Sequence, residues 1–381
     1  MTGTQGNAMN DLTIEKRASA GLITLARPKA LNALTLEMVR GLTATLLLWQ
    51  SDPRVKLVAV RGTTRDPADP AGVLPFGAFC AGGDIRFFHK AALDGDPALE
   101  DFFTEEYRLN YLIHHYPKPI LAMMDGIVMG GGMGVAQGAS TRIVTERSKL
   151  AMPETGIGLF PDVGGGYFLS RCAGHMGEYL ALTGQMLDGA QAVSVGLADC
   201  LVPSQALPAL WEGLVEHRHE GRHAVSRWIA QAAGAQTVVA PWSPGPVDRH
   251  FSLGTVGAIV SSLEAEADND AWARDTAAVL RRRSPLMLHV ALEQIRRARS
   301  MGLADELRME RNLVRRCFHP VHLARSGAAT DVVEGVRALA IDKDHHPRWN
   351  PVRIEDVDAA MVQPFFDSPW PAHAHPLRNL S

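Results

Sequence analysis

The chain has 381 residues, 46% of them hydrophobic and 21% charged, with a formal net charge of −3. That length suits two domains, or one large domain with an extension, and leaves ample material for a core of ordinary soluble composition. So small a charge excludes a whole-molecule field for nucleic acid or an anionic membrane, so an anionic ligand would need a local site.

Residues 1–12, MTGTQGNAMNDL, have neither an apolar h-region nor an Arg-rich amphipathic pattern. They read as a frayed tail, and no targeting segment is expected. Leu12–Lys16 and Leu22–Leu25 alternate and flank Ala20-Gly21, which reads as a hairpin. Thr35 can cap a helix whose apolar positions Leu36, Val39, Leu42, Leu46 and Trp49 keep near-helical spacing. Val55–Val60 is a continuous apolar strand, as expected when both faces are covered. Arg65 to Gly77, with three prolines, is a loop. A helix is expected over Leu99–His115, stopped by Pro117 and Pro119. Ile120–Met124 and Arg142–Thr145 read as strands, and Gly130–Gly132 opens a helix between them.

Strands alternating with helices mean an α/β fold, whose Gly-rich strand-to-helix junctions are where such sheets bind ligands. Beyond Val202 the pattern is helical, over Leu207–Ala233, Leu253–Arg283 and Pro285–Arg316, with a Pro-rich loop at Ala240–Val247. The expected division is a core over 12–202 and a helical region over 203–381. No apolar run reaches ~18 residues, so no transmembrane helix is expected. The four cysteines, Cys80, Cys172, Cys200 and Cys317, form no CxxC pair. That argues against a zinc ribbon or disulfide scaffold and suits a reducing cytoplasm.

Three clusters could carry chemistry. They are Cys80-Ala81-Gly82-Gly83-Asp84-Ile85, Met129-Gly130-Gly131-Gly132-Met133-Gly134, and Met152-Pro153-Glu154 with Asp162 eight positions later in Phe160-Pro161-Asp162-Val163-Gly164-Gly165-Gly166. Glycine lets backbone N–H groups approach a ligand, and a helix N-terminus adds free N–H groups and a positive dipole end. Two such donors converging on one point make an oxyanion hole. The same glycines would also suit tight turns and close helix packing. Carboxylates in apolar surroundings work as acid, base or nucleophile, because burial and a like-charged neighbour raise the carboxyl pKa. Glu154 could also be a satisfied loop carboxylate, and Asp162 could cap the helix expected after Gly164.

Other motifs carry less. His114-His115 and His345-His346 have metal-ligand side chains but no second pair at ligand spacing, and read as surface. Arg281-Arg282-Arg283 reads as a solvated helix end. There is no GxSxG elbow, no Walker lysine and no dinucleotide GxGxxG context.

In this order the clusters resemble the crotonase (enoyl-CoA hydratase/isomerase) superfamily. Arg27-Pro28-Lys29-Ala30-Leu31-Asn32-Ala33-Leu34 resembles its CoA-adenine-binding segment, which implies substrate contacts at Lys29, Ala30 and Leu31. CAGGDI, including Asp84, resembles the loop giving the first oxyanion N–H, at Gly83. MDGIVMGGGMG resembles the one giving the second, at Gly131. Where a hydratase has a glutamate two positions after its triple glycine, this chain has Gly134, and where a hydratase has proline-glycine it has Pro161-Asp162. AMPETGIGLFPDVGGGYF, FFTEEYRLN (Phe102–Asn110) and EGVRALAIDKDHHPRWNP (Glu334–Pro351) are instead similar to the 3-hydroxyisobutyryl-CoA hydrolase subfamily. There the residues matching Glu106, Gly131, Glu154 and Asp162 contact substrate.

The resemblance implies a crotonase ββα spiral with a helical C-terminal region. It implies hydrolysis of 3-hydroxyisobutyryl-CoA, and of 3-hydroxypropionyl-CoA, as in valine catabolism. Glu154 would be the principal carboxylate and Asp162 its partner. No metal or redox cofactor is implied, because CoA arrives on the substrate. The partner is this small molecule rather than nucleic acid or membrane, and a homo-oligomer is compatible with the superfamily. The alternative is an enoyl-CoA hydratase or isomerase.

Overall fold

The computed structural model describes residues 6–9, 11–64, 76–216, 222–233 and 245–381. Most of the expected loop at Arg65–Gly77, and the start of that at Ala240–Val247, lie outside the described residues. From Gly245 the chain is already helical.

The chain divides into two compact units, each drawn from three stretches. The first comprises Met1–Gly83, Arg108–Ala151 and Met186–Trp242, and the second Asp84–Tyr107, Met152–Gln185 and Ser243–Ser381. This differs from the expected single division after Val202. The first helices after Val202, over Leu207–Glu216 and Arg222–Ala233, pack with the sheet, while two earlier stretches belong with the helical unit.

The strands in chain order are β1 (Gly6–Met9), β2 (Leu12–Arg17), β3 (Ala20–Leu25), β4 (Leu57–Gly62), β5 (Ile120–Met124), β6 (Ile127–Met129), β7 (Thr141–Val144), β8 (Lys149–Ala151), β9 (Leu187–Asp188) and β10 (Cys200–Leu201). All belong to the first unit. Its main sheet has the order β1-β2-β3-β4-β5-β7-β10, and β6-β8-β9 form a second. β1 pairs antiparallel with β2, so part of the expected frayed tail is strand. The β2–β3 hairpin pairs Arg17 with Ala20. The turn is therefore Ala18-Ser19, with Ala18 at a φ of 48°, and Ala20-Gly21 lie in the strand. Gly21 is needed there because a Cβ would stand 2.5 Å from the Trp49 ring.

From β3 to β10 the main sheet is parallel. β3, β4 and β5 are buried at every position, as their continuous apolar sequences require. The helix Leu36–Ser51 starts where Thr35 Oγ1 accepts the Met38 N–H at 3.2 Å, and it buries Val39, Leu42, Leu46 and Trp49. On the sheet, Leu22, Ala59, Leu121 and Ile143 pack with Leu210, Trp211, Leu214, Val225 and Ile229. These last come from the helices Leu207–Glu216 and Arg222–Ala233. Each fully buried aliphatic or aromatic side chain there contributes about 1.5–3 kcal/mol.

The second unit is helical, and among the described residues it contains no strand. The expected continuous helices are broken by capping residues. Asp270 accepts from Trp272 N at 2.8 Å and starts Ala271–Arg282 anew after Val256–Glu266. Pro285–Ala298 ends before Gly302, where Leu303–Phe318 begins. Arg311 is buried. It pairs with Glu100 and donates to Thr104 Oγ1 at 3.0 Å. In the Glu334–Pro351 segment, Arg337 binds Glu334, Asp342 and Asp344 at 2.6–2.8 Å. Trp349 Nε1 donates to the Arg282 carbonyl at 3.0 Å. Trp349 thereby ties this segment to the end of the helix Ala271–Arg282.

Candidate active site

The backbone donors lie in the first unit. Leu34 N–H donates to the Gly82 carbonyl at 2.8 Å, and Ala81 N–H to the Leu31 carbonyl at 3.0 Å. The Lys29–Leu31 turn is thereby fastened to the CAGG loop. Cys80 then pairs with Val128, through Cys80 N to Ile127 O and Met129 N to Cys80 O, each at 3.0 Å. This ladder sets the two glycine loops side by side. A Cβ on Gly82 would stand 3.7 Å from the Gly131 nitrogen, and one on Gly132 would collide with the Cys80 carbonyl at 2.3 Å. Gly131 opens the helix Gly131–Gln137 after Gly130, whose φ is 46°. Among the described residues, the N–H groups of Gly83 and Gly131 donate to no backbone carbonyl. The first N–H groups of a helix have no intrahelical acceptor. Two free donors on abutting loops can receive a developing oxyanion.

Asp84, next in sequence, caps the helix Ile85–Asp94 by accepting from Arg86 N at 3.2 Å and Phe87 N at 3.3 Å. A structural task thus accompanies the substrate contact that the resemblance implies. Gly134 is buried in its helix and brings no carboxylate.

The carboxylates lie in the second unit. Glu106, Glu154 and Asp162 are 2%, 5% and 5% exposed. Glu154 opens a single 3-10 turn after Pro153. The Tyr107 hydroxyl donates to Asp162 Oδ2 at 2.8 Å. The helix Gly165–Leu169 is preceded by Gly164, and the Asp162 side chain faces Tyr107 rather than capping it. Glu106 Oε1 and Glu154 Oε2 are buried without a hydrogen-bond partner among the described residues. Burial, then the charges of Asp162 and Glu154, hold Glu106 well above the usual carboxylate range. Burial and Asp162 do the same to Glu154. Burial raises Asp162 to about 7, against the pull of the Tyr107 hydroxyl. Three interacting buried carboxyls cannot all ionise at neutral pH, so the cluster offers both a proton donor and a proton acceptor.

Four residues of this unit escape sequence reasoning. Tyr107 stands inside the FFTEEYRLN motif, but nothing local marks it as the partner of Asp162. Gln294, Glu306 and Glu310 are each fully buried. The last two carry a signal, since they occupy the apolar stripe Leu303, Leu307, Leu313, Val314 and Cys317 of one helix. Arg283 also departs from the solvated reading, because it turns inward and its Nε donates to the Thr183 carbonyl at 3.1 Å. His345 and His346 are exposed, as expected of surface.

An α/β sheet unit with paired glycine donors, and a helical unit with a buried carboxylate cluster, define a crotonase-type acyl-CoA protein. The chain belongs to the enoyl-CoA hydratase/isomerase family, whose model matches residues 20–366. Within it, the chain is 37% identical over 376 residues to 3-hydroxyisobutyryl-CoA hydrolase 1 of Arabidopsis thaliana, covering 94% of this chain and 92% of that protein. It is 38% identical over 361 residues to the mitochondrial 3-hydroxyisobutyryl-CoA hydrolase of Xenopus tropicalis, covering 93% and 88%. Among solved structures, a carnitinyl-CoA dehydratase from Mycobacterium thermoresistibile superposes with a TM-score of 0.81 at 35% identity, covering 97% of this chain and 99% of that one.

Proposed function

We propose that the protein hydrolyses 3-hydroxyisobutyryl-CoA, and more slowly 3-hydroxypropionyl-CoA, to the free acid and CoA. The carboxylate set carries this reading: Asp162 and Glu154 are both buried and the charge of Asp162 helps raise Glu154, while position 134 is glycine. The C–S bond breaks as a C–O bond forms, and the proton lost by the attacking water ends on the CoA thiolate. The Gly83 and Gly131 N–H groups stabilise the thioester oxygen as it gains charge. Glu154 is the principal carboxylate. It either removes the proton from water or attacks the carbonyl to give an anhydride that water then opens. Asp162 is its partner, the two position the 3-hydroxyacyl group, and Glu106 contacts the substrate. Lys29, Ala30, Leu31 and Asp84 contribute to the CoA end.

The substrate brings its own CoA, and no metal or redox cofactor enters the scheme. None of the four cysteines is in a disulfide, which suits a reducing compartment such as the cytoplasm, although the Xenopus relative is mitochondrial. Among the described residues no helix is long and apolar enough to cross a membrane.

The alternative, hydration of an enoyl-CoA, is not the activity named for the hydrolase relatives. One experiment separates the two: thiol release across a panel of short acyl-CoA esters, beside loss of enoyl absorbance from crotonyl-CoA. Thiol release from 3-hydroxyisobutyryl-CoA well above crotonyl-CoA hydration is expected. Hydration as fast as hydrolysis, or no thiol release by folded protein, would replace the hydrolase reading.

A further inference from the structure

The residues on either side of Asp162 are gripped by two helices distant in sequence. From Pro285–Ala298, Gln294 Nε2 donates to the Pro161 carbonyl at 2.7 Å. From Leu303–Phe318, Glu310 accepts the Gly164 N–H at 2.8 Å on one oxygen and the Gly166 N–H at 3.1 Å on the other. Gln294 Nε2 also reaches Glu310 Oε1 at 3.1 Å, so the two grips are joined. Glu306, one turn before Glu310, presses on the same loop, and a Cβ on Gly166 would stand 2.2 Å from its Oε1. All three side chains are 0% exposed. Both carboxyl oxygens of Glu306 are buried without a hydrogen-bond partner among the described residues.

Such a group is costly to keep. Two buried carboxyls and a buried amide would be replaced by apolar residues if only packing mattered. The bonds of Glu310 and Gln294 instead converge on the backbone of one loop, flanking one side chain. Glu310 spans 146 positions to fix Gly164. The grip leaves the Asp162 carboxyl itself to Tyr107.

We propose that Gln294 and Glu310 are positioning residues that clamp the Pro161–Gly166 loop and so place the Asp162 carboxylate for turnover. The inference rests on Asp162 acting in turnover, as proposed above.

The test is a kinetic double-mutant cycle with thiol release as the readout. Glu310→Gln keeps the size but turns an N–H donor toward a backbone N–H. Gln294→Met removes the Pro161 bond, and it also removes a carbonyl oxygen that has no partner, so it is the safer variant for folding. A displacement of about 1 Å costs ~10²-fold in rate, so each variant is expected to lose ~10–10²-fold in kcat while KM moves only a few-fold. Added to Asp162→Asn, the same changes should cost little more, because groups acting through one residue are not additive. Glu306→Gln, at a side chain that makes no hydrogen bond to the loop, should be the mildest of the set. Circular dichroism confirms folding, and if Glu310→Gln folds poorly, Gln294→Met decides the outcome. Near-normal kcat in the clamp variants beside an impaired Asp162→Asn would overturn the clamp alone, as would a full multiplicative loss in the Asp162→Asn background or a change confined to KM. Full kcat in Asp162→Asn would overturn the role of Asp162, and the clamp's function with it.

Discussion

The two units prepare for acyl transfer in opposite ways. On the proposed mechanism, the working atoms of the sheet unit would be main-chain N–H groups at Gly83 and Gly131, held by a backbone ladder through Leu34, Cys80 and Val128. They do not titrate, and their geometry follows from short glycine motifs. Those of the helical unit would be carboxyl oxygens of Glu106, Glu154 and Asp162. Their proton affinity is set by burial and by one another. The first arrangement is written locally in the chain and should be indifferent to pH. The second depends on residues far away in sequence and should be governed by pH.

The largest effect is expected where that dependence is greatest. Glu154→Gln keeps the side chain's size and loses its titration. It should lower turnover by ~10²–10⁴-fold, the usual range of general acid–base catalysis, while CoA esters still bind. Steady-state thiol release and ligand titration check both halves. An active Glu154→Gln would move the chemistry out of the helical unit.

Next in size is the sheet unit. Gly131→Pro deletes one N–H, and losing one such donor costs roughly 2.7–4 kcal/mol of barrier, or ~10²–10³-fold in kcat. Gly132→Ala keeps every N–H but drives a Cβ into the Cys80 carbonyl, and should also be impaired. Both variants should keep the wild-type pH dependence under a lowered ceiling. A profile shifted along the pH axis would show that the backbone donors and the carboxylates do not work separately.

How far each unit can be read from sequence follows from the same contrast. The glycine loops, β5, the capped helix after Thr35 and the positions of Glu154 and Asp162 are legible, because a few consecutive residues determine them. The Ala18-Ser19 turn is not, because Gly21 resembles a turn residue when its task is to lie under Trp49. Asp162 is legible as a residue but its environment is not. Tyr107 lies 55 positions away and Glu310 beyond 140, and no local pattern records such pairings.

A smaller effect comes from pH itself. With Asp162 raised to about 7 by burial, ionised Asp162 becomes available only as pH rises through that value, and kcat should climb with it. Stability should run the other way. A carboxyl whose folded pKa lies above its unfolded one stabilises the fold fully below the unfolded pKa, and this contribution is lost as pH rises through about 7. Asp162→Asn should therefore flatten the acid limb of kcat and also narrow the gap between urea midpoints at pH 5 and pH 8. A gap unchanged by the substitution would assign that dependence to the other buried carboxyls.

The smallest effect tests a residue at the boundary between the two devices. Asp84 follows Gly83 directly, and the resemblance places it with substrate, while its carboxylate caps the helix Ile85–Asp94. The two tasks respond differently to substitution. Asparagine caps a helix as well as aspartate does, whereas alanine loses about 0.5–2 kcal/mol. A negative charge also favours a helix N-terminus by about 0.3–1 kcal/mol, so Asp84→Asn should lie between wild type and alanine, nearer to wild type. If capping is its main work, Asp84→Ala lowers the urea midpoint and Asp84→Asn nearly restores it, with KM for the CoA ester following stability. If the charge itself meets substrate, both variants change KM alike, whatever their midpoints. Equal KM shifts in two variants of unequal stability would move Asp84 from scaffold to substrate contact, and the CAGGD loop would then present a side chain as well as a backbone donor.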